Sequence, residues 1–380
     1  MKVAIVTESF LPTYNGVANS VLRVLDTLKD EGHEAMIIAP TTVSSEYLGY
    51  KVVKAPSFQI KGFEFGLPMA SMAAELSAFA PDVLHAASPV LLGGQALAVA
   101  ARLEIPSVAI YQTNIADYVE RYNFGLIRPA ADRIMGGIHA TATVNLVPSP
   151  DSAKYLRGLG VSNIHQWGRG VDLELFAPKL RLGAEAAELR AKWAPNGERI
   201  VGYVGRLSAE KQVERVAELF GVPGVRFVVV GDGPERARLE ADFNGHDVIF
   251  TGKLSGIELA QAYAAMDIFA HFGTEETFGQ TIQEAQASHL AVIAPAVGGP
   301  RHLIKHRETG MLVDPSQPLA YRAALEELLS TTGMIARVQE QARRAVLQKS
   351  WSAVNQQLLD YYQLAIEIKQ GQEAPALAVA

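Results

Sequence analysis

The sequence predicts an α/β protein built from two Rossmann-like, doubly wound domains. At 380 residues it exceeds what one hydrophobic core usually organises. Short apolar β-type runs alternate with helical patterns, once from Val3 onward and again from Ile200 onward. That alternation implies mostly parallel sheets covered on both faces. Between Val171 and Asn196 it breaks, where Phe176-Ala177-Pro178 and Trp193-Ala194-Pro195-Asn196-Gly197 read as an interdomain connection.

In the first half, Val3-Ala4-Ile5-Val6 reads as a strand, and Val17 to Lys29 as a helix closed by Gly32. Further strands are expected at Ala35 to Ala39, Val83 to His85, Val108 to Tyr111 and Thr143 to Val147, with Leu91 to Leu103 the clearest helix. The second half offers strands at Ile200 to Val204, Phe227 to Val230, Val248 to Phe250, Ile268 to Ala270, Ala291 to Ile293 and Met311 to Val313. Helical patterns fill Leu319 to Leu347, and Ser352 to Ile368 forms a last helix before a small-residue tail, expected to fray. No internal sequence repeat is visible.

Composition narrows the function. Apolar residues at 49% and charged residues at 19% describe an ordinary globular chain, and a net charge of −6 argues against generic nucleic-acid binding. The absence of cysteine removes disulfides, thiolate nucleophiles and zinc-thiolate sites. No leader pattern precedes the first strand and no apolar run approaches the ~20 residues of a membrane span. A cytoplasmic protein is expected, with peripheral contact at the cytoplasmic membrane as an option. For such contact the apolar stretch Phe58 to Phe65 is the candidate, although a packed edge segment explains it as well.

The chemistry is expected in the stretch from His271 to Ala285. Thr277 is placed to cap a helix starting at Phe278, with Gln280 completing a capping box. Phe278, Ile282 and Ala285 then share one helix face, and Thr281, Glu284 and Ser288 another. Glu276 sits in the preceding loop, a common ligand position in an α/β sheet. Taken alone, two solvated glutamates on a surface helix would explain the pattern.

A second stretch, Gly205-Arg206-Leu207-Ser208-Ala209-Glu210-Lys211, follows a strand directly. Its Arg offers forked donors and its Lys a point charge, both suited to a diphosphate. Phe10 to Val17 joins the first strand to the first helix, and Gly16 there lets backbone N–H groups approach a phosphate or sugar. Gly231-Asp232-Gly233-Pro234-Glu235-Arg236 mimics a dinucleotide fingerprint, but Pro234 intrudes and Arg236 replaces the third glycine. An NAD-dependent oxidoreductase is therefore disfavoured. No Asp-x-Asp occurs, so no metal is expected on the diphosphate and no cofactor is needed.

The spacing Glu276-x7-Glu284, with Thr277-Phe278-Gly279 after the first Glu and Ala285 after the second, resembles the signature of family 4 retaining glycosyltransferases. The likeness covers nearly the whole chain and implies the GT-B fold, two such domains facing a central cleft. It implies an N-terminal acceptor-side domain over 1–177, a nucleotide-sugar domain over 178–350, and a segment 351–380 returning to the first domain. It also implies that Glu276 contacts the transferred sugar, Glu284 holds the ribose hydroxyls, and Arg206 with Lys211 clamps the diphosphate. Thr277, Phe278, Gly279 and Gly16 complete the donor site in that likeness, and Lys253 and Leu254 border the base. The Gly298-Gly299-Pro300 loop resembles a family loop near the sugar; Arg301-His302 follows where an acidic residue is common.

One departure stands out. Many members carry His after the fifth strand of the first domain, where this chain has Tyr111-Gln112-Thr113-Asn114. Gln cannot act as a base but can hydrogen-bond a sugar hydroxyl. This fits retention in which the departing phosphate takes the acceptor proton. Gln112, Asn114, Asp117, Tyr118 and Arg121 are the acceptor-side candidates, the last three lying in an aromatic stretch up to Phe124. Thr7 to Pro12, Tyr111 to Thr113 and Val204 to Leu207 resemble actinobacterial GDP-mannose-dependent α-mannosyltransferases, a branch of which mannosylates glucuronosyl-diacylglycerol. Alternatives are a UDP-sugar transferase acting on a lipid, a sugar-nucleotide 2-epimerase of similar fold, and a non-catalytic nucleotide-binding module.

Overall fold

The structure, a computed structural model, describes residues 1–13, 15–60, 63–112 and 128–371. It divides into two compact units, Met1–Arg169 with Trp351–Ala380, and Gly170–Ser350. The division falls at Arg169 rather than after residue 177. The reason is packing: Val171 and Phe176 are buried in the core of the second unit with Tyr263, Phe269 and Ile282. Val171 N–H also donates to Lys349 O at 2.8 Å within that unit.

In the first unit the strands run β1 (Lys2–Thr7), β2 (Glu34–Ala39), β3 (Glu46–Tyr47), β4 (Tyr50–Lys54), β5 (Ser57–Ile60), β6 (Phe63–Gly66), β7 (Val83–Ala87), β8 (Ser107–Ile110), β9 (Val144–Val147) and β10 (Ile164–Gln166). Eight form one sheet in the order β10-β9-β8-β7-β1-β2-β4-β3, parallel except for β3 on β4. The central strands are mostly apolar because both faces are covered, as parallel sheets require, with Thr7, His85 and Ser107 as buried polar exceptions. The helix Gly16–Asp30 buries Ala18, Val21, Leu22, Leu25 and Leu28, a stripe at helical spacing. Asn15 caps it, accepting from Val17 and Ala18 N–H at 3.0 Å each. The last helix, Trp351–Lys369, packs into this unit, and Asn355 donates to Arg23 O and Thr27 Oγ1. The apolar stretch from Phe58 forms the antiparallel pair β5–β6.

The second unit holds β11 (Arg199–Val204), β12 (Val225–Val230), β13 (Val248–Gly252), β14 (Ile268–Ala270), β15 (Ala291–Pro295) and β16 (Met311–Val313). They pair in parallel in the order β13-β12-β11-β14-β15-β16. Numbered within the unit that order is 3-2-1-4-5-6, so the sheet reverses its direction of growth between β11 and β14. The expected helical region after Leu319 is two helices, Ala320–Ser330 and Met334–Val346. Asp267 adds a polar anchor for the connection read from Val171 to Asn196. Asp267, 1% exposed just ahead of β14, accepts from Ile200 N–H and from Arg181, Arg190 and Arg199 at 2.6–3.3 Å. Burial pushes its carboxyl up, but the Ile200 N–H and the guanidinium groups outweigh this and hold it below the usual range.

Candidate active site

In an open parallel sheet, ligands sit outside the carboxyl ends of the strands, where strand order reverses. In the second unit the two loops at that point are residues 205–212 after β11 and 271–279 after β14. They carry the two motifs singled out from the sequence. Lys211 Nζ donates to Glu276 Oε2 at 2.8 Å, and neighbouring Gln212 Nε2 donates to Thr274 Oγ1 at 2.7 Å. Two successive side chains of one loop thus hold the other. Lys211 and Glu276 keep 28% and 18% of their side-chain surface exposed, so the pair is accessible to a ligand.

The Arg206 loop is laced to its neighbour. Gly205 N–H donates to Val230 O, Leu207 N–H to Asp232 O and Glu235 N–H to Leu207 O, all at 3.0 Å. Gly231 has φ +144°, and a Cβ there would stand 1.9 Å from Gly205 O. Only glycine fits. The sequence that mimics a dinucleotide fingerprint is therefore the backing of the Arg206 loop. Beneath it, Tyr203 OH donates to Arg206 O at 3.1 Å; burial, then Glu276 and Glu210, raises its ionisation far above the ordinary value.

The Glu276 loop is braced from the other side. Gly299 N–H donates to Glu276 O at 2.7 Å, and a Cβ on Gly299 would come within 2.4 Å of Phe278 O and 2.5 Å of Phe278 N. The double glycine that suggested a sugar contact has a packing reason of its own. Glu276 Oε1 accepts from Phe278 N–H at 3.4 Å.

The following helix differs from expectation. It spans Gln280–Ala287, two residues later than the start proposed at Phe278, and no side chain caps it. The cap position is Gly279, whose φ of +105° breaks the helical path that a box from Thr277 to Gln280 needs. Gln280 instead donates to Gly170 O at 3.0 Å. Phe278, Ile282 and Ala285 are buried as the apolar face requires. Glu284 lies in the helix's second turn, partly buried, and accepts from Tyr263 OH at 3.1 Å. Burial raises its carboxyl to about 7, the Tyr263 and Gln280 bonds opposing.

Other predicted residues stand outside these two loops. Lys253 is exposed just past β13, two strands from β11, and Leu254 is partly buried beside the core. In the first unit, strand order reverses between β1 and β7. Gly16 opens the helix after β1, and a Cβ on it would stand 2.5 Å from Arg169 Nη1. Gln112, 7% exposed at the end of β8, accepts from Arg169 Nη2 at 3.4 Å and donates to Ser20 Oγ at 3.5 Å. Asn114, Asp117, Tyr118 and Arg121 lie outside the described residues.

Four residues carry no assigned role in the sequence reading. Arg169 stands in Trp167-Gly168-Arg169-Gly170, where no periodicity marks it. Glu8 bridges the two loops at the first unit's reversal, accepting from Val90 and Gly93 N–H at 3.0 Å each; a carboxylate one residue past a strand was the available signal. Tyr263 sits in an apolar helix and gave none. His271, 2% exposed between β14 and Glu276, is held neutral down to about 4, chiefly by burial.

No helix among the described residues is long and apolar enough to cross a membrane. Residues 14–175 match the description Glycosyltransferase Family 4, and residues 185–345 match Glycosyl transferases group 1. The chain is 42% identical to a GDP-mannose-dependent alpha-mannosyltransferase of Mycolicibacterium smegmatis over 96% of its own length and 98% of that protein's. It is 29% identical to the alpha-monoglucosyldiacylglycerol synthase of Streptococcus pneumoniae, over 88% of this chain and 80% of that one. Its fold superposes on Anabaena HepE in complex with UDP at a TM-score of 0.76, 20% identity, covering 96% of this chain and all of the other. With both domain descriptions matched in order, near-full-length relatives and two parallel-sheet units, the chain belongs to the family 4, group 1 glycosyltransferases of GT-B fold.

Proposed function

We propose that this glycosyltransferase moves mannose from GDP-mannose, with retention of configuration and without a metal ion, onto a lipid-borne acceptor. The observation that carries the reading is the pairing of Lys211 with Glu276 at 2.8 Å across the two loops where the second sheet reverses. One loop brings fixed cations for a leaving diphosphate and the other a carboxylate for the sugar. In the proposed reaction the bond from the sugar's anomeric carbon to the GDP oxygen breaks. The acceptor oxygen bonds the same carbon on the same face, and its proton passes to the departing phosphate. Arg206 and Lys211 stabilise the charge that grows on that phosphate. Glu276 orients the transferred sugar, and Glu284 accepts from the ribose hydroxyls. Thr277, Phe278 and Gly279 shape the sugar end of the donor site, and Lys253 and Leu254 the base end.

The donor follows from the relative at 42% identity, named for GDP-mannose, and the acceptor class from the diacylglycerol relative. Those names give the UDP-sugar and epimerase readings less support. Gly16, Gln112 and Arg169 are the proposed first-unit contacts, and peripheral membrane attachment would deliver the lipid. The test is product analysis of the purified chain with GDP-mannose, UDP-glucose and a glucuronosyl-diacylglycerol acceptor, with and without EDTA. An α-mannosylated lipid formed equally in EDTA is expected. Transfer from UDP-glucose alone, acceptor-independent release of an epimerised sugar, or EDTA inhibition reversed by Mg2+ or Mn2+ would contradict the reading.

A further inference from the structure

A second cationic site lies in the same unit, lined by none of the residues of the two loops just described. A cavity of about 430 Å³ opens between the segment 302–309 and the end of the helix Met334–Val346, reaching Lys349. Its walls bring Lys305, Arg344 and Lys349 together with His302, Thr309 and a single carboxylate, Glu308.

Lys349 is the unusual member. It is half-buried, and burial alone shifts its ammonium, downward; no acidic side chain among the described residues acts on it. Desolvating a cation without an opposite charge is unfavourable, and such groups are ordinarily paired. The other two cations have partners of little hold. Arg344 bonds Glu340 at 2.7 Å and Lys305 reaches Glu308 at 3.5 Å, with exposures of 50–77% throughout. Exposed pairs of this kind contribute little and yield readily to a better acceptor. Thr309, 5% exposed, accepts from Lys305 N–H at 2.8 Å, which leaves its hydroxyl proton to donate.

We propose that this cavity binds a phosphoryl group, with Lys349 as the central cation and Arg344, Lys305 and the Thr309 hydroxyl around it. Three cations and a hydroxyl suit an anion with three or four oxygens better than a single carboxylate. The cavity is larger than the anion, and Leu303, Ile304 and Ala345 line the remainder, giving room for a small carrier. The carrier is either a soluble phosphate ester or the headgroup of an anionic phospholipid.

The test uses the full chain, the Lys349→Met variant, which keeps the apolar stem, and Lys211→Ala as a control at the donor loop. Calorimetric titration with inorganic phosphate and glycerol 3-phosphate reads the soluble arm; flotation with phosphatidylglycerol against phosphatidylcholine vesicles reads the lipid arm. Binding in either arm that weakens at least tenfold in Lys349→Met and survives in Lys211→Ala is expected, and the arm that responds identifies the carrier. The ligand-free Lys349→Met protein should melt at the same temperature or higher, because an unpaired desolvated charge is gone. Equal binding by Lys349→Met, loss only in Lys211→Ala, no binding in either arm, or a lowered melting temperature would overturn the proposal. None of these readouts depends on which sugar the enzyme transfers.

Discussion

The two ends of β14 hold acid–base constellations of opposite kinds. At its amino end Asp267 is sealed, with an N–H and three guanidinium groups on one carboxylate that keeps 1% of its surface. At its carboxyl end Glu276 accepts from Lys211 and from the Phe278 N–H, and both side chains of the ion pair stay partly exposed. The strand between these regimes is only three residues long, Ile268 to Ala270, and five loop residues lead on to Glu276. A sealed, saturated carboxylate has no lone pairs left for a substrate and serves as a fastener; a partly exposed one beside a cation can exchange its partner for a ligand. The polarity of the strand decides which is which, since crevices form at carboxyl ends.

The largest effect separating the ends should come from Asp267→Ala. It strands three arginines and the Ile200 N–H, and removing one partner of a buried pair costs about 3–5 kcal/mol. Chemical denaturation should register that loss. A variant of near wild-type stability would mean that the arginines find water as readily as the carboxylate, and the sealed end would not be a fastener.

Next is Gly299→Ala. An added methyl meets Phe278 backbone atoms rather than a mobile side chain, so the Glu276 loop has to move. Overpacking of this kind costs about 1–3 kcal/mol, and turnover should fall with stability. Full activity with unchanged melting would remove the bracing role. If turnover falls while melting does not change, the loop touches the sugar as the family resemblance implies, instead of supporting Glu276.

The smallest of the three is a pH effect. The Glu284 carboxyl sits at about 7, above its ordinary range near 4.5. Being raised, it contributes stability that is fully present below about 4.5 and is lost as pH rises through 7. Ribose hydroxyls donate to the ionised form, so donor KM should fall roughly tenfold between pH 6 and a plateau above 8. Glu284→Gln should flatten both dependences. A KM independent of pH in the unmutated enzyme would remove Glu284 from the ribose role.

The open end of β14 was largely legible in the sequence, and the sealed end was not. Glu276, Glu284, Arg206 and Lys211 stand in short windows whose spacing carries meaning, and strand-to-helix loops are where sequence pattern and chemistry coincide. Asp267 and its arginines are spread from 181 to 267, and nothing local shows that they meet. Arg169 against Gly16 and Tyr263 under Glu284 are hidden for the same reason. The two-sheet architecture followed from alternation alone. The helix start at Gln280 did not, because a left-handed Gly279 overrode the capping pattern of Thr277.

The central claim is that the open end, with the loop after β11, forms a diphosphate clamp. Steady-state kinetics of Arg206→Ala, Arg206→Lys and Lys211→Ala against purified donor test it most directly. A leaving diphosphate gains charge as the glycosidic bond breaks, so fixed cations should count more in the transition state than in the ground state. Each alanine change should lower kcat by roughly 10²–10³, the scale of a lost oxyanion donor. Arg206→Lys should recover only part, because an ammonium does not bridge two phosphate oxygens as a guanidinium does. Unchanged kcat in both alanine variants would contradict the clamp and send the search for the donor site elsewhere in the chain.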